Sequence, residues 1–270
     1  MNILKEYYIG ENYIRYAVSD TPVPHDFNFH VHDKCEIYYF IEGKAQSLIE
    51  ASVYDLRKGS LMIMRPGEAH SIRILEQERY ARYAVNFPMS FFDAFDPKRT
   101  LMRPYTEREL GKENMFFMPG LESVFEEITA EGLSEYDRSV VLNTKLAYLL
   151  DQINREYFKK DRKKTTSSSF AGQAVGYVNR IIFSDISVAE LADRFYMSKA
   201  SFCRMFKEAT GATPWEYITA KRLVAARSMI LAGSSAGEAA EKCGFGDYSS
   251  FYRAYKKRFG TSPYSSEGRK

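Results

Sequence analysis

The chain has 270 residues and a formal net charge of +3, long enough for two domains with separate cores. It contains no apolar run of 18 residues, and Met1-Asn-Ile-Leu-Lys-Glu6 lacks a signal-peptide pattern, so the expectation is a soluble cytoplasmic protein with no membrane partner. Residues 1–158 carry 18 Lys/Arg against 25 Asp/Glu, net −7, and residues 159–270 carry 20 against 10, net +10, which suggests that only the second half meets a polyanion. Cys35, Cys203 and Cys243 are odd in number and scattered, fitting a reducing compartment rather than a disulfide framework.

Residues 1–28 are broken by Pro22 and Pro24 and read as edge strands or an arm. From Phe29 onward short β runs are punctuated by Gly and Pro: Glu36 to Gly43, Gln46 to Glu50, a turn from Tyr54 to Gly59, Ser60 to Met64, Ser71 to Leu75 and Arg79 to Asn86. This spacing predicts an antiparallel barrel or sandwich. Period 2 puts Glu36, Tyr38 and Phe40 on one strand face, where the two rings would line a pocket suited to a sugar or another small polar effector.

His30-x-His32, Glu36, Gly43, Gly59 and Gly67-x-x-His70 resemble the two motifs of the cupin barrel. The resemblance implies that His30, His32, Glu36 and His70 would be the ligands of a divalent transition metal, and imidazoles with one carboxylate suit Zn, Fe, Ni or Mn. The same four residues, with Tyr38 and Phe40, could instead hydrogen-bond a metal-free effector, or the histidines could be structural.

After an irregular stretch beyond Pro97, helical patterns run from about Pro119 to Gly132 and from about Ser134 to Lys159. In the second, Leu142, Leu146, Leu149 and Ile153 make a continuous apolar stripe. The stripe could pack on the barrel or on a second subunit, and a homodimer contact is the favoured reading. Residues 159–169, Lys-Lys-Asp-Arg-Lys-Lys-Thr-Thr-Ser-Ser-Ser, read as a flexible basic linker, which divides the chain into a domain over 1–158 and another over 170–270.

The second half contains an internal repeat. Residues 198–214 and 247–263 match at an offset of 49 in Ser201/Ser250, Phe202/Phe251, Arg204/Arg253, Lys207/Lys256, Gly211/Gly260 and Pro214/Pro263. Ahead of each copy, Ser187-x-x-Glu190 and Ser235-x-x-Glu238 repeat at an offset of 48 as capping boxes, so the second turn holds one extra residue near Gly244-Phe245-Gly246. Each unit is then helix, turn, helix. Ser198 and Asp247 cap the second helices, Phe202/Phe206 and Phe251/Tyr255/Phe259 face inward, and Gly211 and Gly260 end them. A lead helix from Phe170 to about Phe183 precedes the pair. Pro214 begins a linking helix to about Ala232, with Trp215, Ile218, Leu223, Ala226, Met229 and Ile230 within an arc of about 140°.

These features, with Tyr217-Ile218, Arg222 and Ala240-x-x-Cys243-Gly244-Phe245-x-Asp247, make residues 171–263 similar to the DNA-binding domain of the AraC/XylS family of bacterial transcriptional regulators. A cupin-like barrel is that family's common partner domain, so the fold class implied is α+β with an all-α double helix-turn-helix at the C-terminus. The resemblance implies that each second helix enters a major groove, the two grooves about 34 Å apart on double-stranded DNA. Lys199, Ala200, Cys203, Arg204 and Lys207 would face DNA from one helix, and Tyr248, Ser249, Tyr252, Arg253 and Lys256 from the other. Arg204 and Arg253 can each grip guanine bidentately, whereas the lysines suit phosphates. The function expected is a ligand-responsive, sequence-specific transcriptional regulator, activator or repressor, of a bacterial small-molecule uptake or catabolic operon, such as one for a carbohydrate, with RNA polymerase as a further partner and no catalytic residues. The alternatives are a metal-dependent cupin enzyme or metal sensor fused to a DNA-binding module, and a constitutive DNA-binding protein.

Overall fold

The computed structural model describes residues 2–23, 27–159 and 169–266. The expected linker lies outside the described residues except for Lys159 and Ser169. Met1–Asn28, Lys34–Pro66 and Ser71–Thr166 form one compact unit, and Phe29–Asp33, Gly67–His70 and Ser167–Lys270 form another.

The first is built on two sheets. The larger has the order β1 (Asn2–Ile9), β2 (Asn12–Ser19), β8 (Tyr80–Phe87), β3 (Cys35–Glu42), β6 (Ser60–Met64), β9 (Met115–Phe117), and the smaller β5 (Ser52–Asp55), β4 (Ala45–Ile49), β7 (His70–Ile74). The hydrogen-bonded ladder of the large sheet ends at β1 and β9, so the expected antiparallel, cupin-like barrel or sandwich takes the form of two sheets whose ladder does not close. Its central strand β3 is buried from Cys35 to Ile41, with Glu36 as the one charged residue among them. Alternate residues serve different cores. Cys35, Ile37, Tyr39 and Ile41 join Ile14, Val18, Leu61, Ile63 and Val85 on one face, while Tyr38 and Phe40 join Met62, Met64, Ala45 and Ile49 on the other.

Three helices follow: α1 (Arg103–Thr106), α2 (Glu122–Ile128) and α3 (Glu135–Lys159). The stripe on α3 settles against this unit's own core. Leu142, Leu146, Leu149 and Ile153 are all 0% exposed and share a cluster with Ile37, Val85 and Phe125. Each contributes roughly 1.5–3 kcal/mol of burial. The expected homodimer contact through this stripe is therefore corrected: period 3.6 marks a buried face, and here a sheet of the same chain covers it.

The second unit holds α4 (Phe170–Ile181), α5 (Val188–Arg194), α6 (Lys199–Thr210), α7 (Pro214–Leu231), α8 (Ala236–Lys242) and α9 (Tyr248–Phe259), then a 3-10 turn at Pro263–Ser266. Ser187 and Glu190 complete a reciprocal capping box on α5, and Thr213 and Glu216 do the same on α7. On α8, Ser235 accepts from the Glu238 amide, whereas the Glu238 carboxylate takes Lys242 at 2.7 Å. The buried face of α7 is broader than the predicted arc, with Tyr217, Ala220, Arg222 and Val224 added. Trp215 departs from that arc and is 54% exposed, although its neighbours Pro214 and Tyr217 in the same turn are buried.

Candidate nucleic-acid interface and histidine cluster

The two reading helices are built alike from local chemistry. Ser198 accepts from the Ser201 amide to start α6, and Asp247 accepts from the Ser249 and Ser250 amides to start α9. The Ser250 hydroxyl, with the Ser250 and Ser249 amides, holds the Asp247 carboxyl below its ordinary range. Both helices close on left-handed glycines, Gly211 at φ 84° and Gly260 at φ 72°.

Packing then decides which face is free. Phe202 and Phe206 are fully buried, Phe206 meeting Tyr217 edge-on at 5.3 Å. Phe251 and Tyr255 are likewise buried, in a cluster with Leu223, Ala226, Ile230 and Ala240. With those residues inward, Lys199, Ala200, Arg204 and Lys207 of α6 are exposed and Cys203 is half-buried. On α9, Ser249, Arg253, Lys256 and Lys257 are exposed and Tyr252 is half-buried. Arg253 also donates to Ser250 Oγ at 3.2 Å, one turn back on its own helix.

Tyr248 stands differently from its neighbours. Its ring packs on Phe251 at 5.6 Å and on Tyr264 at 6.3 Å, and its hydroxyl is buried. Tyr264, in the terminal 3-10 turn and 57% exposed, also lies 6.5 Å from Tyr252. The aromatic edge of this helix thus includes a residue absent from the sequence-derived set, whose only sequence signal is an aromatic directly after Ser262-Pro263.

The turns before the two reading helices share a backbone geometry. Met197 N bonds Ala192 O at 2.9 Å and Phe245 N bonds Ala240 O at 3.0 Å, positions 48 residues apart in the repeat. Each turn passes through a left-handed residue, Tyr196 at φ 54° and Gly244 at φ 78°. Tyr196 is 99% exposed, whereas a Cβ on Gly244 would lie 2.5 Å from Phe183 O. The close approach explains why only the second turn requires glycine.

His30 and His70 form an antiparallel bridge, with N···O distances of 2.9 and 3.0 Å in the two directions. Gly67 N bonds His32 O at 2.9 Å, and the His30–His70 and His32–His70 ring centroids are 4.0 and 5.0 Å apart. One ligand atom each from His30, His32, Glu36 and His70 lies within 4.8 Å of the others. Neighbouring ligand atoms in a tetrahedral Zn site stand about 3.4 Å apart, so the four side chains would have to close up to hold an ion. His70 Nδ1 lies 2.9 Å from Glu68 O, and donation there leaves Nε2 as the ligand nitrogen, an arrangement common around metal sites. Glu36 and His70 are buried, and His30 is exposed.

Tyr38 and Phe40 lie on the Glu36 face of β3 but within packed core. Tyr38 hydrogen-bonds the Tyr80 hydroxyl, Phe40 meets the Tyr80 ring at 5.5 Å, and burial pushes the Tyr38 hydroxyl up to about 12.

Two family models match the chain, the AraC-like ligand binding domain over residues 15–144 and a helix-turn-helix domain over residues 191–266, which spans α5 through the terminal turn. The HTH-type transcriptional activator RhaS of Pectobacterium carotovorum subsp. carotovorum (strain PC1) is 24% identical over 249 residues, covering 88% of this chain and 87% of that one. The probable transcriptional regulator LumQ of Photobacterium leiognathi is 34% identical over 88 residues, so this chain spans 36% of its length. Among solved structures, unsaturated fatty acid bound ToxT from Vibrio cholerae strain SCE256 aligns over 93% of each chain with 16% identity and a TM-score of 0.43.

Proposed function

The chain joins an AraC-like ligand binding domain to a helix-turn-helix domain and so belongs to the AraC family of transcriptional regulators, and on that premise we propose a cytoplasmic, ligand-responsive activator that reads two successive major grooves with α6 and α9. One observation carries the assignment of the reading helices. Arg204 and Arg253, equivalent in the repeat, both stand exposed on capped helices whose opposite faces are buried. A guanidinium in that place can take guanine O6 and N7 together, while Lys199, Lys207, Lys256 and Lys257 neutralise phosphates. Removal of Arg253 should cost about 1–3 kcal/mol on a selected operator and relax specificity at one base. Unchanged affinity in both Arg204→Ala and Arg253→Ala would sink the assignment.

The effector, a small polar molecule such as a sugar, is proposed to bind at His30, His32, Glu36 and His70; Tyr38 and Phe40, expected to line the same pocket, are instead packed in core against Tyr80. Binding would shift the population competent for DNA and RNA polymerase. A second reading is favoured by the spacing of those four side chains: a divalent transition metal held by the three imidazoles and the Glu36 carboxylate. Such an ion would supply Lewis acidity or a coordination point for the effector. We also propose a homodimer. Tyr136, Val140 and Tyr148 on α3 are 79%, 50% and 46% exposed and leave apolar surface for a second copy. The regulator reading assigns the chain no catalytic role.

A further inference from the structure

Arg222 sits in the middle of α7 and is 4% exposed. Burial of a guanidinium is costly unless its donors are used. Here three carbonyls take them: Nε donates to Ile182 O at 2.7 Å, Nη2 to Ser184 O at 2.5 Å and Nη1 to Gly244 O at 2.6 Å. The first two belong to the chain leaving α4, where helix carbonyls have lost their intrahelical donors. The third belongs to the turn between α8 and α9. One planar fork on α7 thus ties the segment after α4 to the turn before α9, on the face where Gly244 lies closest to its neighbours.

The tie is specific to the second repeat. At the equivalent turn of the first, Tyr196 is 99% exposed, and α6 starts from Ser198. Elsewhere α4 has a separate bond to α7, since Asn179 Oδ1 accepts from Tyr217 at 3.0 Å and from Lys221 at 2.8 Å. The body of α9 is held through Phe251 and Tyr255. What remains for Arg222 to fix is the entry into α9. Gly244 is three residues before the Asp247 cap, and reading helices contact bases chiefly through their N-terminal residues.

We infer that Arg222 is a positioning residue for sequence readout, one that aims the N-terminus of α9 and so sets specificity in the groove read by Arg253 while leaving the α6 groove untouched. The inference rests on the proposal that α6 and α9 read DNA. A lysine at 222 keeps the charge but offers one point donor group in place of a fork across three carbonyls.

The test uses the full chain, an operator selected from random duplexes and two derivatives with the bases of one groove scrambled, the α9 groove being the one whose bases cease to matter in Arg253→Ala. In the parent protein each scrambled groove should weaken binding at least tenfold. In Arg222→Lys the penalty for scrambling the α9 groove should fall below about threefold while the α6 penalty is unchanged, and Gly244→Ala, which disturbs the same junction from the other side, should behave alike. A structural role alone would weaken binding to all three duplexes by one common factor, which would overturn the inference. So would unaltered penalties in both variants, or unfolding of both at the assay temperature by Trp215 fluorescence, because the contact would then serve stability rather than aim. If the parent protein is insensitive to both scrambled grooves, the assignment of the reading helices fails first.

Discussion

The left-handed residues at the two turns should respond oppositely to substitution. Tyr196 holds φ 54° with its side chain 99% exposed, so its ring contributes little packing to offset the conformation. A left-handed residue with a Cβ costs about 1–2 kcal/mol, and glycine returns roughly 0.5–1 kcal/mol of that through its looser unfolded chain. Tyr196→Gly should therefore stabilise the second domain by about 0.5–1 kcal/mol, raising its midpoint by roughly 2–6 °C for a domain of about 100 residues. Gly244→Ala has the opposite sign. It incurs the same left-handed cost, and its Cβ would lie 2.5 Å from Phe183 O and 2.9 Å from Phe183 C, so backbone must move, for a loss of about 2–4 kcal/mol. Trp215 is the chain's single tryptophan and lies on α7, which makes its fluorescence during thermal or denaturant unfolding a reporter of this domain. Destabilisation by Tyr196→Gly, or tolerance of Gly244→Ala, would refute the reasoning.

In the first domain, Leu149→Ala removes a fully buried side chain and should cost about 2–5 kcal/mol, by an amount independent of protein concentration in circular-dichroism melts; a concentration-dependent loss would mean that the stripe is an intersubunit contact. Glu190, Glu216 and Asp247 are all held below their ordinary carboxyl values, by Ser187, Thr213 and Ser250 with their amides. Their folded pKa values lie below the unfolded ones, so the stabilisation is complete above the unfolded values and disappears as pH falls through the folded ones. The midpoint difference between Asp247→Asn and the parent protein should thus be present at pH 6 and shrink below about pH 4; a difference constant with pH would contradict the linkage. For the histidine cluster, Zn or Ni titrated into chelator-treated full chain should bind one ion per chain and lose that stoichiometry in His32→Ala and Glu36→Gln. Retention of one ion in both variants would place the metal elsewhere.

The parts of this fold legible from sequence are those determined by neighbours along the chain. Ser187-x-x-Glu190, Ser198, Asp247, Gly211 and Gly260 act within a few residues, so both helix-turn-helix units and their bounds follow from local chemistry. Period 2 likewise assigned the two faces of β3. What remained hidden depends on partners distant in sequence. Tyr54 and Asp55 sit in a stretch with the composition of a turn, yet they pair with Ser47 and Gln46 in β5, and Gln46 Nε2 bonds Asp55 at 2.8 Å. The short β9 has no period to detect and exists because Met115 to Phe117 pair with β6. Periodicity showed that Leu142 to Ile153 is a buried stripe but not what buries it. In the candidate interface, exposure of Arg204 and Arg253 follows once the Phe faces are assigned, whereas the half-burial of Tyr248 against Phe251, with Tyr264 of the terminal turn beside it, involves a residue outside the repeat.

The claim that two equivalent helices read DNA meets its most direct test in a hydroxyl-radical footprint of the full chain on its selected operator, compared with Arg204→Ala and Arg253→Ala. Two protected patches one helical turn apart on one face of the duplex, each weakened by a different one of the substitutions, are the predicted result. A single patch, or two patches indifferent to both arginines, would contradict it.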